Sequence, residues 1–555
     1  MEAMILDMEN ASIADIVNEI ERLEGFAPTW TLKRHLNARR AISRLPAEIL
    51  LIAFSLIVKG WISKISYADN VWFEIDPRDI DVPKYTWIPW ITHICSRWRD
   101  IALQSPTLWR YIIVNRYNYL EMMLRRSQEV PISVYSPTQI NDNDITLRRK
   151  IGYLLTPHLH RIQSVEIISA DPYYELHEAT LPGLLPSVQS ITVWMLDAPR
   201  DDDDMCHAVL FNGWLGENHN SLQHLSLSYP SLAGLQLAAR PSLRSLNLNV
   251  LQESLDMPYL LRLLKETPVL ESLALIDAIP YLPEDDVTEL MEPKEIVTLP
   301  SLRSLHIRSP VCIVTNFLRH ISYPAITSME VHLWTADAQE IPPDALGRDL
   351  GERLPKNLRS ISVNNVKSCK ELRLFGWTDG EPSLQDRAPY RFIVEYDVFS
   401  NPHIACWIFG AMIGRLITEK LEVLHFNIDK MKIVGGDTWD DLYEAINTRA
   451  INVHTLRVSS MRHLPHILPP PDDVECGKNE YHSDYRPPTH LPSLKTLWMG
   501  RLKEREIERL NSILMKRIED INMLERLSIP WDDDGLFEGT AELVEFVDVR
   551  NDLGV

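Results

Sequence analysis

Twelve short stretches between residues 162 and 529 share one pattern, apolar-x-x-apolar-x-apolar. They run from "IQSVEI" (162–167) and "VQSITV" (188–193), through "LRSLNL" (243–248), "LESLAL" (270–275) and "LRSLHI" (302–307), to "LERLSI" (524–529). Most successive starts are 21 to 34 residues apart, with longer gaps of 63 before Leu421 and 41 before Leu494. The last two apolar positions alternate with polar ones, as on a half-buried strand. The first apolar position anchors the turn that leads into that strand. A strand of three or four residues is not stable alone, so neighbouring copies must stack. Several copies follow a proline, as in "PSLRSLNL" and "PSLRSLHI". The pattern predicts one array starting near residue 150. Each copy sits on a short parallel strand, with Leu246, Leu248, Leu273 and Leu275 buried.

A chain of 555 residues is too long for one ordinary core, so several domains or a repeat array are expected. Apolar residues make up 45%, enough for a sizeable core. Lys plus Arg is 56 and Asp plus Glu is 77, so the formal net charge is 56 − 77 = −21. Such a chain repels phosphate backbones, which argues against nucleic acid and anionic membrane as partners. Six scattered cysteines form no CxxC, which speaks against a zinc site, a redox motif or a disulfide framework. The N-terminal stretch "MEAMILDMENASIADIV" lacks the basic segment and apolar run of a signal peptide. No apolar stretch approaches the roughly 18–20 residues of a membrane-spanning helix. A protein of the cytoplasm or nucleus is expected.

Residues 12–24 read as a helix, with Ile13, Ile16, Val17, Ile20 and Leu23 at helical spacing and Ser12 as cap, Asp15 three residues on. A second helical segment, "LKRHLNARRAI", follows Pro28. The pair reads either as a dimer arm or as a helical hairpin docked on the next domain. In "RLPAEILLIAFSLIV", Pro46 suits a first helical turn and Glu48 complements the helix dipole. Ile49, Ile52, Ala53 and Leu56 make one apolar stripe. Residues 58–89 break the pattern and read as an inserted loop. In "HICSRWRDIALQSPTLW" (93–109), Ile94, Trp98, Ile101 and Ala102 share a helical face, and Pro106 stops the helix near Ser105. "LWRYIIV" then turns β-branched and reads as a strand.

These segments together resemble an F-box followed by leucine-rich repeats, of the type abundant in mushroom-forming fungi. The resemblance rests on Leu45-Pro46, Glu48-Ile49-Leu50, Cys95, Trp98-Arg99, Ala102, Ser105-Pro106 and Leu108-Trp109, and on the L-x-x-L-x-L repeats. The usual Asn or Cys later in that repeat is mostly missing, and the period is irregular. The implied fold class is α/β. A helical segment (1–42) and an F-box (43–115, split at 58–89) would precede a leucine-rich-repeat-like solenoid (116–555) with a parallel sheet of short strands. The implied function is the substrate-recognition subunit of a Skp–cullin–F-box ubiquitin ligase. Leu45, Pro46, Ile49 and Leu50 would contact the Skp-family adaptor, and the repeats would capture an unknown protein substrate. The alternative is a ligase-independent binding scaffold with a vestigial box.

No G-x-S-x-G, G-x-x-x-x-G-K-[ST], H-E-x-x-H or G-x-G-x-x-G is present, so neither an enzyme nor a cofactor is expected. "DDDD" (201–204) and "WDDDG" (531–535) lack EF-hand spacing and read as solvated loops. His158 with His160, and His463 with His466, have no Cys or carboxylate at zinc-like spacing, so no metal is expected. The side chains between the apolar repeat positions must point away from the core, because the period of a strand is two. They would form a concave binding face of the kind solenoids use. His306, Arg308, Glu330 and His332 are the candidate substrate contacts there. They suggest a mildly basic or neutral centre suited to an acidic or phosphorylated degron.

Overall fold

The computed structural model describes the chain from Ser12 to Arg550, except for 24–32, 66–86, 137–144, 170–182, 196–213, 281–294, 335–342, 379–387, 428–445, 469–490, 531–546 and shorter breaks. It is a mixed α/β protein with two compact units, Met1–Leu243 and Arg244–Val555. The boundary expected near residue 115 falls inside the first.

The first unit opens with α1 (Ile13–Leu23). Its start is the expected reciprocal cap: the Asp15 N–H donates to Ser12 Oγ (3.2 Å) and the Ser12 N–H donates to Asp15 Oδ2 (2.9 Å). Those bonds hold the Asp15 carboxyl below its ordinary range. Ile16 and Ile20 pack on Leu36 of the following segment. Helix α2 (Ala47–Ile65) runs past the expected break at 58, because Val58, Trp61 and Ile62 keep the helical spacing and are buried. The expected insert therefore begins as helix. Its middle, 66–86, lies outside the described residues, and α3 (Trp87–Thr92) follows.

Helix α4 (Ser96–Leu103) ends as the Ser-Pro pair dictates. Ser105 Oγ donates to the Ile101 carbonyl (2.7 Å), and Pro106 starts a 3-10 turn through Trp109. The Trp109 indole N–H donates to the Ala102 carbonyl (2.8 Å), its ring lies 5.1 Å from Trp87, and the Arg126 guanidinium sits 4.7 Å above it. The Trp98 ring lies 5.0 Å from that of Phe54 on α2, tilted by 58°. The aromatic-rich segment is thus the joint that ties the helices together.

The chain then alternates β1 (Tyr111–Ile113), α5 (Tyr117–Arg126), β2 (Ile132–Ser136), α6 (Ile145–Leu155), β3 (Ile162–Ser169), β4 (Ser190–Met195) and β5 (His224–Ser228). These five strands pair in parallel and in chain order. They are buried on both faces: Val165, Ile191 and Leu225 on one, Glu166, Thr192 and Ser226 on the other. Buried Arg161 ties this region by donating to the carbonyls of Val130 (2.8 Å) and Leu124 (3.3 Å) and to Ser127 Oγ (3.0 Å).

The second unit comprises β6 (Ser245–Asn249), α7 (Met257–Lys265), β7 (Ser272–Ile276), β8 (Val297–Thr298), β9 (Ser304–Pro310), α8 (Val311–His320), β10 (Ile321–Ser322), β11 (Ser328–Trp334) and α9 (Pro343–Arg353). It continues with β12 (Ser360–Val366), β13 (Glu371–Trp377), β14 (Tyr390–Glu395), α10 (Pro402–Leu416), β15 (Val423–Asn427), β16 (Thr455–Val458), β17 (Thr496–Met499), α11 (Glu504–Asp520), β18 (Arg526–Pro530) and β19 (Val547–Arg550). All twelve repeated stretches lie on strands β3 to β7, β9, β11, β12 and β15 to β18.

The lateral order differs from simple stacking. β11 pairs not with β12 but with β14; β14 pairs with β13, β13 with β12, and β12 with β15. The order is β6-β7-β9-β11-β14-β13-β12-β15-β16-β17-β18-β19, and among the described pairings β13 alone runs antiparallel to its neighbours. The 63-residue gap before Leu421 holds the two additional strands, β13 and β14.

A recurrent turn explains the prolines. The N–H of the anchoring Leu270, Leu302 and Leu494 bonds back three residues to Thr267, Leu299 and Leu491. Pro268, Pro300 and Pro492 occupy the second turn position, where a fixed φ is pre-set. The next residue docks on the preceding repeat: the Glu271 N–H reaches the Arg244 carbonyl (2.7 Å), and Lys495 reaches His454 (2.9 Å). Side chains there pair across repeats, Arg244 with Glu271, Arg359 with Glu422, and Lys495 with Glu525.

Candidate functional site

Two surfaces carry the residues singled out in the sequence. The first is α2, whose two faces are opposite in character. Leu50, Phe54, Val58 and Trp61 point into the helical core. Leu45, Ile49, Ile52 and Leu56, at offsets of four, three and four residues, are 38%, 47%, 58% and 64% exposed. They form one apolar stripe on the solvent side. Pro46 is exposed at its head, and Arg97 of α4 donates to the Leu45 carbonyl (2.7 Å), fixing the start of the helix. Leu50 was expected among the contacts, but it is 1% exposed and belongs to the core. Ile52 and Leu56 take its place on the exposed side. Ile94, expected to share a helical face with Trp98, Ile101 and Ala102, precedes α4 and is 58% exposed.

The second surface is the outward row on the sheet of the second unit. The register sets Glu330 opposite His306 and His332 opposite Arg308 on β9, so the four candidate contacts do come together. They are not a free basic surface. His306 and His332 are buried, at 2% and 6%. His306 Nδ1 lies 3.5 Å from Glu330 Oε2, and Arg391 of β14 reaches Glu330 Oε1 at 3.1 Å. His332 Nε2 lies 2.8 Å from Glu395 Oε1. Burial pushes the His306 imidazole below its ordinary range against the pull of Glu330. The hydrogen bond from His332 holds the Glu395 carboxyl low.

Aromatic rings support the cations of this row. Arg308 lies 5.7 Å over Trp334, Arg391 lies 5.7 Å over Phe375, and Arg457 and Arg526 lie 4.9 and 5.8 Å over Trp498. His425 Nδ1 sits 3.2 Å from Ser362 Oγ, and burial lowers its pKa to about 4. In the first unit the outward positions Thr192, Trp194, Ser226 and Ser228 are buried, whereas His224 is exposed.

Among the described residues no group of three or more His, Cys, Asp or Glu could hold a metal ion, and no helix is long and apolar enough to cross a membrane. His158 instead accepts from Arg161 Nε at 3.3 Å, and His160 lies 3.7 Å from Glu129. The acidic runs at 201–204 and 531–535, and His463, lie outside the described residues. The chain matches no family model and no curated protein.

Proposed function

We propose that this protein is the substrate-recognition subunit of a Skp–cullin–F-box ubiquitin ligase. Its helical segment docks a Skp-family adaptor, and the repeat sheet of the second unit captures a protein substrate. The observation that carries this reading is the α2 stripe. Four large apolar side chains at helical spacing face solvent on a helix whose other face already fills a core. An exposed apolar stripe of that size on a small helical unit is an interface awaiting a partner. The order of elements also supports it: helix, helix, Ser-Pro stop, then strands carrying the repeated pattern. In this reading Leu45, Pro46, Ile49, Ile52 and Leu56 contact the adaptor, and Leu50 holds α2 in place. The protein acts by bringing two others together and performs no chemistry itself.

The test is co-purification of a Skp-family adaptor with the full chain and with an Ile49→Glu, Ile52→Glu double variant. Loss of the adaptor from a variant with unchanged melting supports the assignment. Equal recovery with both proteins shows that the stripe serves another partner, as in a ligase-independent scaffold.

A further inference from the structure

The outward face of the second unit changes character between its halves. On β11 and β14, Glu330 and Glu395 pair with His306, His332 and Arg391. Across β12 and β15 to β18 the register lines up Ser362, His425, Arg457, Trp498 and Ser528 in one row. The adjoining row runs from Ser360 through Val423, Thr455 and Thr496 to Arg526. Neither row holds a carboxylate, in a chain with 77 Asp and Glu against 56 Lys and Arg. Glu422 and Glu525, at the turns leading into β15 and β18, pair with Arg359 and Lys495. At neutral pH His425 is uncharged, because burial, and then Arg457, lower its pKa to about 4. The charge of the two rows is therefore that of Arg457 and Arg526.

Both guanidinium groups gather on one side chain. Trp498, on the strand between them, has Arg457 at 4.9 Å and Arg526 at 5.8 Å over its ring. All three side chains are partly exposed, so the cluster is within reach of a partner. Two like charges at one ring repel each other, and a bound anion would turn that repulsion into attraction. A guanidinium held by a ring presents a planar fork that matches a carboxylate. Tryptophan and arginine are also the side chains that most often dominate the energy of protein interfaces.

We propose that Arg457, Trp498 and Arg526 anchor the captured segment, and that this segment is an extended peptide with two carboxylates spaced to meet the two guanidinium groups. Side chains two apart on an extended segment share a face and lie about 7 Å apart. Strands β16 and β18 are two strand spacings apart, roughly 10 Å, and their arginines converge on the ring between them. Single-stranded nucleic acid also uses arginine and aromatic rings. It carries a phosphate at every nucleotide, however, and the net charge of −21 repels it more strongly than a segment with two carboxylates. The acidic class expected at His306, Arg308 and His332 is thereby moved to the other half of the face, where no carboxylate of the two rows competes. The inference rests on the repeat sheet being the capturing surface and is independent of adaptor docking.

Phage-displayed twelve-residue peptides selected on the immobilised full chain test it, with parallel selections on an Arg457→Gln, Arg526→Gln double variant and on Arg308→Gln. Arg308, 5.7 Å over Trp334, makes the same kind of contact on the other half of the face and serves as the control. The expected result is a pair of Asp or Glu two positions apart in peptides recovered on the native chain and on Arg308→Gln, and loss of that pair on the double variant. Individual peptides should bind Arg457→Gln or Arg526→Gln about tenfold to a hundredfold more weakly, as for a hydrogen bond between charged groups. Arg457→Lys, measured alongside, keeps the charge but not the fork, and should weaken the same peptides by less than Arg457→Gln. Recovery of no motif, of basic motifs, or of the same acidic motif on the native chain and the double variant overturns the assignment. So does binding of a labelled twelve-nucleotide oligothymidine at this cluster in preference to every recovered peptide. Adaptor recovery with the double variant should equal that of the native chain, so failure here is distinct from failure of adaptor docking.

Discussion

Gly347 of α9 lies directly against the carbonyl oxygen of Ile408 on α10, with no room between them for a side chain. A Cβ at Gly347 would also stand 2.9 Å from Ala411 Cβ, and one at Gly351 would stand 2.7 Å from Met412 O. Two glycines four residues apart let the helices meet backbone to backbone. Gly347→Ala should therefore lower stability by about 1–3 kcal/mol through overpacking, despite the better helix propensity of alanine. Gly60→Ala on α2, where nothing lies within 4 Å, should instead gain up to about 1 kcal/mol. Urea unfolding of both variants checks the contrast.

Leu275 and Asn249 test the faces of the repeat strands. Leu275 is fully buried, whereas Asn249 points outward and is partly exposed. Leu275→Ala should cost about 2–5 kcal/mol, depending on how far the cavity collapses. Asn249→Ala should stay within about 0.5 kcal/mol. Chemical denaturation read by circular dichroism gives both values, and equal costs would contradict the facing.

Trp109 joins the helical segment by one buried hydrogen bond to Ala102 (2.8 Å) and by its ring contacts. Trp109→Phe keeps most of the apolar volume and loses the indole bond, while the Ala102 carbonyl still accepts from the Ser105 N–H (3.3 Å), so the cost should be about 0.5–1.5 kcal/mol. Trp109→Ala should cost about 3–5 kcal/mol. Thermal melting with intrinsic fluorescence distinguishes them.

His425 makes stability depend on pH in one direction. Its pKa falls from 6.5 to about 4 on folding, first through burial and then through Arg457. The unfolded chain therefore takes up the proton at higher pH than the folded one. The stability contributed is fully present above about pH 6.5 and is lost as pH falls toward 4. His425→Asn should flatten the fall in urea midpoint between pH 6.5 and 4.5 relative to the native chain. An unchanged slope would show that other groups set it.

The repeated strands were legible because their signal is local: an anchoring leucine, a preceding proline and a period of two. The stripe on α2 was legible for the same reason, but its direction was not. Periodicity shows that Ile49, Ile52 and Leu56 share a side, while only packing shows that Leu50 faces inward and they face out. Strands β13 ("ELRLFGW") and β14 ("YRFIVE") follow no anchoring leucine in the sequence, so their alternation had no marker. That omission propagated to the face. Arg391 and Glu395 both lie on β14, and without them His306 and His332 read as uncompensated basic groups. Charge at a surface is a property of neighbours, and the decisive neighbours arrive from about 60 residues further along.

The displaced order of β11 to β15 also bears on how the chain is assembled as it is synthesised. Met329 of β11 pairs with Tyr390, so 390 − 329 = 61 residues must be made before that edge is covered. From β6 to β11 the strands of the large sheet in the second unit pair in chain order, β6 with β7, β7 with β9 and β9 with β11, while β8 and β10 pair with each other. At β12 growth from that edge stops: β13 and β14 lead back from one edge of β12 to β11, and β15 docks on the other edge of β12. The nascent sheet therefore stays open at β11 while the ribosome makes β12, β13 and β14, and that interval is when an unrelated strand can pair there.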